Sequence, residues 1–166
     1  MSERTIILDH DQVRRKLQRI AHELYEQNHE ERTIVIVGIA QRGFTVAERL
    51  AALLKEIAPL QVELIALQMD KDAPLEKPIT ISAPYDHLKD RVVILVDDVL
   101  MSGRTMMHAA AFLVRGPLRK LTTVALVDRL HRTYPIRADI VGLTLSTTLQ
   151  EHISVELGKK DTVHLA

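Results

Sequence analysis

Val92-Val93-Ile94-Leu95-Val96-Asp97-Asp98-Val99-Leu100-Met101-Ser102-Gly103-Arg104-Thr105 is the stretch on which the fold turns. Its first five residues are the most apolar run in the chain, short enough for a strand buried on both faces, and the run ends in two adjacent carboxylates. A Ser/Gly/Thr loop follows, and a helix is expected from near Thr105 to just before Gly116-Pro117. Strand, acidic tip, glycine-bearing loop and helix start together make a ligand cradle. Successive backbone N–H groups in such a loop converge on one phosphate, and the helix N-terminus adds partial positive charge. Ser102 and Thr105 bring hydroxyl donors. Two ionised carboxylates beside a phosphate repel it unless they face something else, and vicinal ribose hydroxyls or a divalent cation are the fitting partners. The combination describes a phosphorylated sugar better than a bare nucleotide phosphate tail.

Working outward, Asp9-His10-Asp11 offers helix N-caps, and Val13, Leu17, Ile20, Ala21 and Leu24 recur at helical spacing up to about Asn28. A buried strand is expected within Arg32 to Ile39, and Gly38 and Gly43 bracket the loop after it. Phe44 to Ile57 is helical again, with Pro59 as its stop, and Val62 to Leu67 forms the next strand. Gln68 to Pro84 is polar and carries Pro74, Pro78 and Pro84, which predicts a loop or loose hairpin. Further strands are expected at Thr122 to Val127, Ile140 to Leu145 and His152 to Leu157. This order predicts an α/β fold: a mainly parallel twisted sheet with helices on both faces, joined by right-handed crossovers. Ligands of such sheets bind at the carboxyl ends of the strands, where the loops Ile39 to Gly43, Asp97 to Thr105 and Asp128 to Arg137 emerge.

At 166 residues the chain fits one domain, 1–166, and its 46% hydrophobic content suits a packed core. The opening Met1-Ser2-Glu3-Arg4 has no apolar leader region, and no apolar run reaches the roughly 18 residues of a membrane span, so a soluble, cytoplasmic protein without a membrane partner is expected. With 0 cysteines, thiol chemistry and thiolate metal sites are excluded. The 22 basic and 22 acidic residues cancel, so overall charge does not point to nucleic acid and only local clusters bear on that question.

The thirteen positions from Val93 to Thr105 resemble the signature with which type I phosphoribosyltransferases bind 5-phosphoribosyl-1-diphosphate (PRPP). The resemblance implies the three-layer fold of that family with a small hood, and Mg²⁺ held mainly through PRPP, with Asp97 and Asp98 as its candidate protein contacts. It also implies that Asp97 and Asp98 hold the ribose hydroxyls while Val99, Leu100, Met101, Ser102, Gly103, Arg104 and Thr105 form or flank the 5′-phosphate cradle. Gly38-Ile39-Ala40-Gln41-Arg42-Gly43 resembles the family's pyrophosphate loop, which gives Gln41, Arg42 and Gly43 to the leaving group. Asp97, Asp98 and Arg42 are the expected catalytic set, and Asp128 and Arg129, at the next strand tip, the base side.

Ile7-Leu8-Asp9, Arg14-Arg15, Arg19 to Glu23, Val127-Asp128-Arg129, His131-Arg132 and Pro135 to Asp139 are similar to one subfamily, the pyrimidine-operon attenuation regulators that are also uracil phosphoribosyltransferases. That similarity implies uracil as the acceptor, a leader-RNA hairpin as a partner, and a homodimer or higher assembly. On their own terms Arg15, Arg19 and His22 share one stripe of the first helix, and His131, Arg132 and Arg137 form a second basic cluster, so these are the candidate RNA contacts. Two segments depart from the subfamily. Gln68-Met69-Asp70-Lys71-Asp72 carries Lys71 on the expected lid, about 68–84, where the subfamily has Arg, and Gly142 to Ser146 lacks its Lys and Pro. An ammonium cannot grip pyrophosphate bidentately as a guanidinium does. Two other readings therefore stand beside a uracil enzyme: a PRPP- or nucleotide-sensing RNA regulator with little catalysis, and a purine-specific phosphoribosyltransferase.

Overall fold

The computed structural model describes residues 3–148 and 150–166, so Met1 and Ser2 of the expected leaderless start lie outside the described residues. Strand β1 (Thr5–Leu8) leads into helix α1 (His10–Asn28). Asp9 starts that helix with a reciprocal cap: its carboxylate accepts the Gln12 amide at 2.8 Å, and the Gln12 side chain accepts the Asp9 amide at 2.9 Å. β2 (Thr33–Ile39), α2 (Arg42–Ile57), β3 (Gln61–Gln68) and β4 (Thr80–Ile81) follow, then a 3-10 turn at Tyr85–Leu88. β5 (Val92–Leu100), α3 (Arg104–Leu113), β6 (Lys120–Asp128) and β7 (Ile140–Thr144) complete the main body.

The main sheet has the order β4-β3-β2-β5-β6-β7, parallel except for β4, which pairs antiparallel with the end of β3 through Leu67↔Ile81 and Gln68↔Thr80. The polar Gln68 to Pro84 segment is thus a loose hairpin. Alternate residues of the central strands go to opposite faces, as strand geometry requires. Ile34, Ile36, Ile94 and Val96 pack with α1 and α2, whereas Val35, Val37, Val93 and Leu95 pack with Met106, Ala109 and Leu113 of α3. Both faces are buried, which is why these strands are continuous Val/Ile/Leu runs.

A second, antiparallel sheet of order β1-β9-β8 forms the hood, built from β1, β8 (Ile153–Glu156) and β9 (Thr162–Leu165). Asp161 anchors it. Its carboxylate, completely buried, accepts two bonds from Arg49 of α2 at 2.9 and 3.1 Å and one from the Gly158 amide at 2.9 Å. The Asp161 amide donates to His10 Nδ1 at 2.9 Å, which ties the hood to the head of α1 as well. Among the described residues no helix is long and apolar enough to cross a membrane.

Candidate active site

β5 does not stop at the acids. It continues through Val99↔Val127 and Leu100↔Asp128, so Asp97 and Asp98 lie inside the paired strand, only 3% and 6% exposed, where the sequence suggested a loop beginning at Asp97. The reason is that Val99 and Leu100 extend the apolar ladder against β6, and the loop shrinks to Met101-Ser102-Gly103. Burial acts on the acids directly. The Asp97 carboxyl is pushed up to about 7, chiefly by desolvation, further by the neighbouring Asp98 carboxylate, and partly offset by the Lys71 ammonium.

The loop before α2, the one expected to meet the leaving group, reaches these acids through Gly43. A Cβ there would lie 2.8 Å from Asp97 Oδ1 and 2.9 Å from both Asp97 Cα and the Val96 carbonyl oxygen, so only glycine lets the start of α2 come this close. The Ala40–Gln41 peptide before it is cis, and Gln41 and Arg42 are exposed. No side chain caps the helix start, and its first turn holds no acid, so the first amides there have no side-chain acceptor. Between this helix start and the hood lies a cavity of about 340 Å³ lined by Arg42, Thr45, Val155, Glu156, Leu157, Gly158 and Lys160. Thr45 and Lys160 were not among the sequence candidates; the Lys159-Lys160 pair was the available signal.

The loop Met101-Ser102-Gly103, expected to cradle a phosphate, opens directly into α3. Gly103 takes the left-handed conformation at φ 86°, and Ser102 Oγ accepts the Arg104 amide at 3.2 Å, opening α3. The helix start leaves the Thr105 and Met106 amides without intrahelical carbonyls. Behind the cradle, Thr133 and Tyr134 amides donate to the Ser102 carbonyl at 2.9 and 3.0 Å, and Arg132 bonds the Met101 carbonyl, the Ile136 carbonyl and Asp128, each at 2.7 Å.

Several candidate side chains are turned to other work. The Arg104 guanidinium grips the lid backbone, donating to the Lys71 and Asp72 carbonyls at 2.9 and 3.1 Å, while Lys71 Nζ reaches Asp97 Oδ1 at 3.2 Å. Arg129 is buried and donates to Thr147 Oγ1 at 2.6 Å and the Thr148 carbonyl at 2.8 Å, with Met101 Sδ at 3.0 Å. Asp128 accepts from the Leu130 amide at 2.9 Å besides Arg132. The pair expected on the base side therefore braces the loops around that end of the sheet.

Of the basic residues expected at RNA, Arg15, His22 and Arg137 are exposed or largely so. Arg19 is committed, donating to the Val141 and Gly142 carbonyls at 2.8 Å each and to Glu23 at 3.0 Å. Arg132 is committed to the cradle, and His131 Nε2 lies 2.7 Å from the Thr147 carbonyl. Among the described residues no three His, Asp or Glu side chains converge as a metal cage. Two adjacent carboxylates alone fit a magnesium ion that arrives with phosphate oxygens as ligands.

The phosphoribosyl transferase domain family matches residues 3–159. The Clostridium acetobutylicum protein named bifunctional protein PyrR is 40% identical over 172 residues, spanning 96% of this chain and 95% of that protein. The Deinococcus radiodurans protein of the same name is 40% identical over 163 residues, spanning 93% and 88%. Among solved structures, the hypoxanthine phosphoribosyltransferase of Trypanosoma cruzi superposes with a TM-score of 0.77 at 14% identity, covering 90% of this chain and 84% of that one. A hypoxanthine-guanine phosphoribosyltransferase from Bacillus anthracis gives 0.72 at 19%, covering 88% and 85%. These structures share the fold. With the family model spanning residues 3–159 and relatives at 40% identity over nearly the whole chain, the chain belongs to the phosphoribosyl transferase domain family and is a pentosyl-transferring enzyme.

Proposed function

We propose that the chain transfers the 5-phosphoribosyl group of PRPP to uracil, forming UMP and pyrophosphate, and that it also serves as an RNA-binding pyrimidine regulator in the cytoplasm, acting as a homodimer or larger assembly. The observation that carries the enzymatic half is the approach of Gly43 to Asp97, which joins a leaving-group loop to a ribose site. The subfamily reading draws its support from the relatives at 40% identity over nearly the whole chain.

In this mechanism the C1′–O bond to the diphosphate breaks with its electron pair going to the leaving group. The uracil N1 bonds to C1′, and its proton passes to the departing diphosphate or to solvent. Asp97 and Asp98 hold the ribose 2′- and 3′-hydroxyls and stabilise positive charge developing on the ring. The start of α2 and Arg42 hold the diphosphate, and the amides and hydroxyls from Ser102 to Thr105 hold the 5′-phosphate, so positioning does most of the work. Asp97, Asp98 and the bound diphosphate would hold magnesium, which supplies charge neutralisation on the leaving group. The lid Gln68 to Pro84 closes to keep water from C1′.

The test is to incubate the purified protein with Mg²⁺, PRPP and, separately, uracil, hypoxanthine, guanine and adenine, and to measure nucleotide and pyrophosphate. UMP alone is the expected product. IMP, GMP or AMP instead would make it a purine enzyme. PRPP binding without turnover on any base would make it a sensor, the reading favoured by Lys71 standing against Asp97.

A further inference from the structure

Asp97 Oδ1 is fully subscribed. It accepts the Asp98 amide at 2.9 Å and the Lys71 ammonium at 3.2 Å, which fills both lone-pair directions of that oxygen. Any hydroxyl or cation directed at Oδ1 competes with Lys71. The ammonium is delivered by a well-held piece of lid: Asp70 accepts the Asp72 and Ala73 amides at 3.0 and 3.1 Å, and Arg104 donates through one terminal nitrogen to two successive lid carbonyls. Arg104 is the first residue of α3, so the clamp is fixed to a rigid element rather than to another loop.

We propose that Arg104 is a lid-positioning residue that docks Lys71 on Asp97 as an internal counterion, and that the sugar diphosphate enters by displacing this ammonium. The proposal rests on the reading that Asp97 receives the ribose of PRPP. It takes the Arg104 side chain out of the phosphate cradle and leaves that cradle to backbone amides and hydroxyls. Displaced from Asp97, Lys71 moves toward the incoming diphosphate while Arg104 keeps the lid backbone nearby. The lid thus exchanges one anionic partner for another without first coming free.

Thermolysin cleavage at Leu75, which is 86% exposed on the lid, reads the clamp. Without substrate, Arg104→Met is expected to speed this cleavage by about tenfold, the loss of two charge-assisted bonds, with Arg104→Lys in between. Lys71→Met is expected to bind Mg²⁺–PRPP severalfold faster in stopped flow while its kcat falls, a split that a simple stability defect would not produce. Hydrogen exchange on the unaltered protein supplies a readout that needs no variant: slow exchange at Asp72 and Ala73 is expected.

Unchanged cleavage in Arg104→Met, or fast exchange at those two amides, overturns the clamp. Lost PRPP affinity in Arg104→Met with the lid still protected overturns it too, by making Arg104 a phosphate ligand. Should the unaltered protein bind no PRPP while Arg104→Met still frees the lid, the clamp stands and the ribose reading of Asp97 fails.

Discussion

Arg49 grips Asp161 with both terminal nitrogens, and through that pair α2 carries the hood on the same helix whose first turn faces the acids. Asp161→Ala leaves Arg49 facing an empty pocket and removes the acceptor of the Gly158 amide. Because Arg49 is 35% exposed, its stranded charge keeps some solvent, and a loss of about 2 kcal/mol is expected, below the range for wholly buried pairs. Thermal unfolding checks this, with a fall in Tm of several degrees. A change within about one degree would show that the hood does not depend on this anchor.

Gly43→Ala drives a methyl group into Asp97 and the Val96 carbonyl, which are strand backbone and a held carboxylate rather than a flexible side-chain end. The start of α2 must shift. Overpacking of this kind costs roughly 1–3 kcal/mol, and the displaced leaving-group loop should lower kcat/KM for PRPP by about a hundredfold or more. Steady-state kinetics at near-normal activity in a folded variant would refute the close approach as the basis of the site.

The raised pKa of Asp97 sets a pH dependence of stability. Its carboxyl ordinarily titrates at 3.8, and in the fold it is held up to about 7, so between those values the folded chain keeps a proton that the unfolded chain has lost. Stability from this group therefore falls as pH rises from about 4 to about 7 and is fully lost above that. Asp97→Asn cannot lose a proton. Measured without substrate, its Tm should gain on that of the parent as pH rises through this window, while PRPP use collapses. Parallel Tm curves would contradict the assignment.

On the RNA side, Arg15→Ala and Arg19→Ala should part company. Arg15 is exposed, so its loss is expected to weaken a bound hairpin and lower the salt slope by about one without changing Tm. Arg19→Ala strips the Val141 and Gly142 carbonyls of their donor and should destabilise the protein by about 1 kcal/mol. Filter binding across a salt series, beside thermal melts, separates the two. Equal effects on affinity and no effect on stability would mean that Arg19 is freer than its contacts imply.

Periodicity located α1, α2 and the central strands because their burial is set by local repeats: Val13, Leu17, Ile20 and Leu24 on one helical face, Ile34 to Val37 on a doubly covered strand. The tight turn from Ser102 into α3 was readable for a similar reason, since Gly103 and Ser102 act through their own backbone and immediate neighbours. β9 was missed because its four residues are too short a run to show a period, and they are held between β8 and β1, the latter from the far end of the chain through pairs such as Thr5↔Leu165. The same limit explains Arg104, Arg129 and Arg19. A guanidinium beside a glycine or on an exposed helix stripe looks available in one dimension, and only the folded chain reveals carbonyls from residues 71, 148 and 141 waiting within reach.

The pairing of β1 with β9 joins segments separated by nearly the whole length of the polypeptide. Closing so long a loop gains its contacts only after the intervening chain has condensed, so β1–β9 pairing should be a late step in folding, following the parallel sheet. Contacts made that late slow unfolding more than they speed folding, which makes the hood a determinant of how long the native enzyme survives rather than of how quickly it is made.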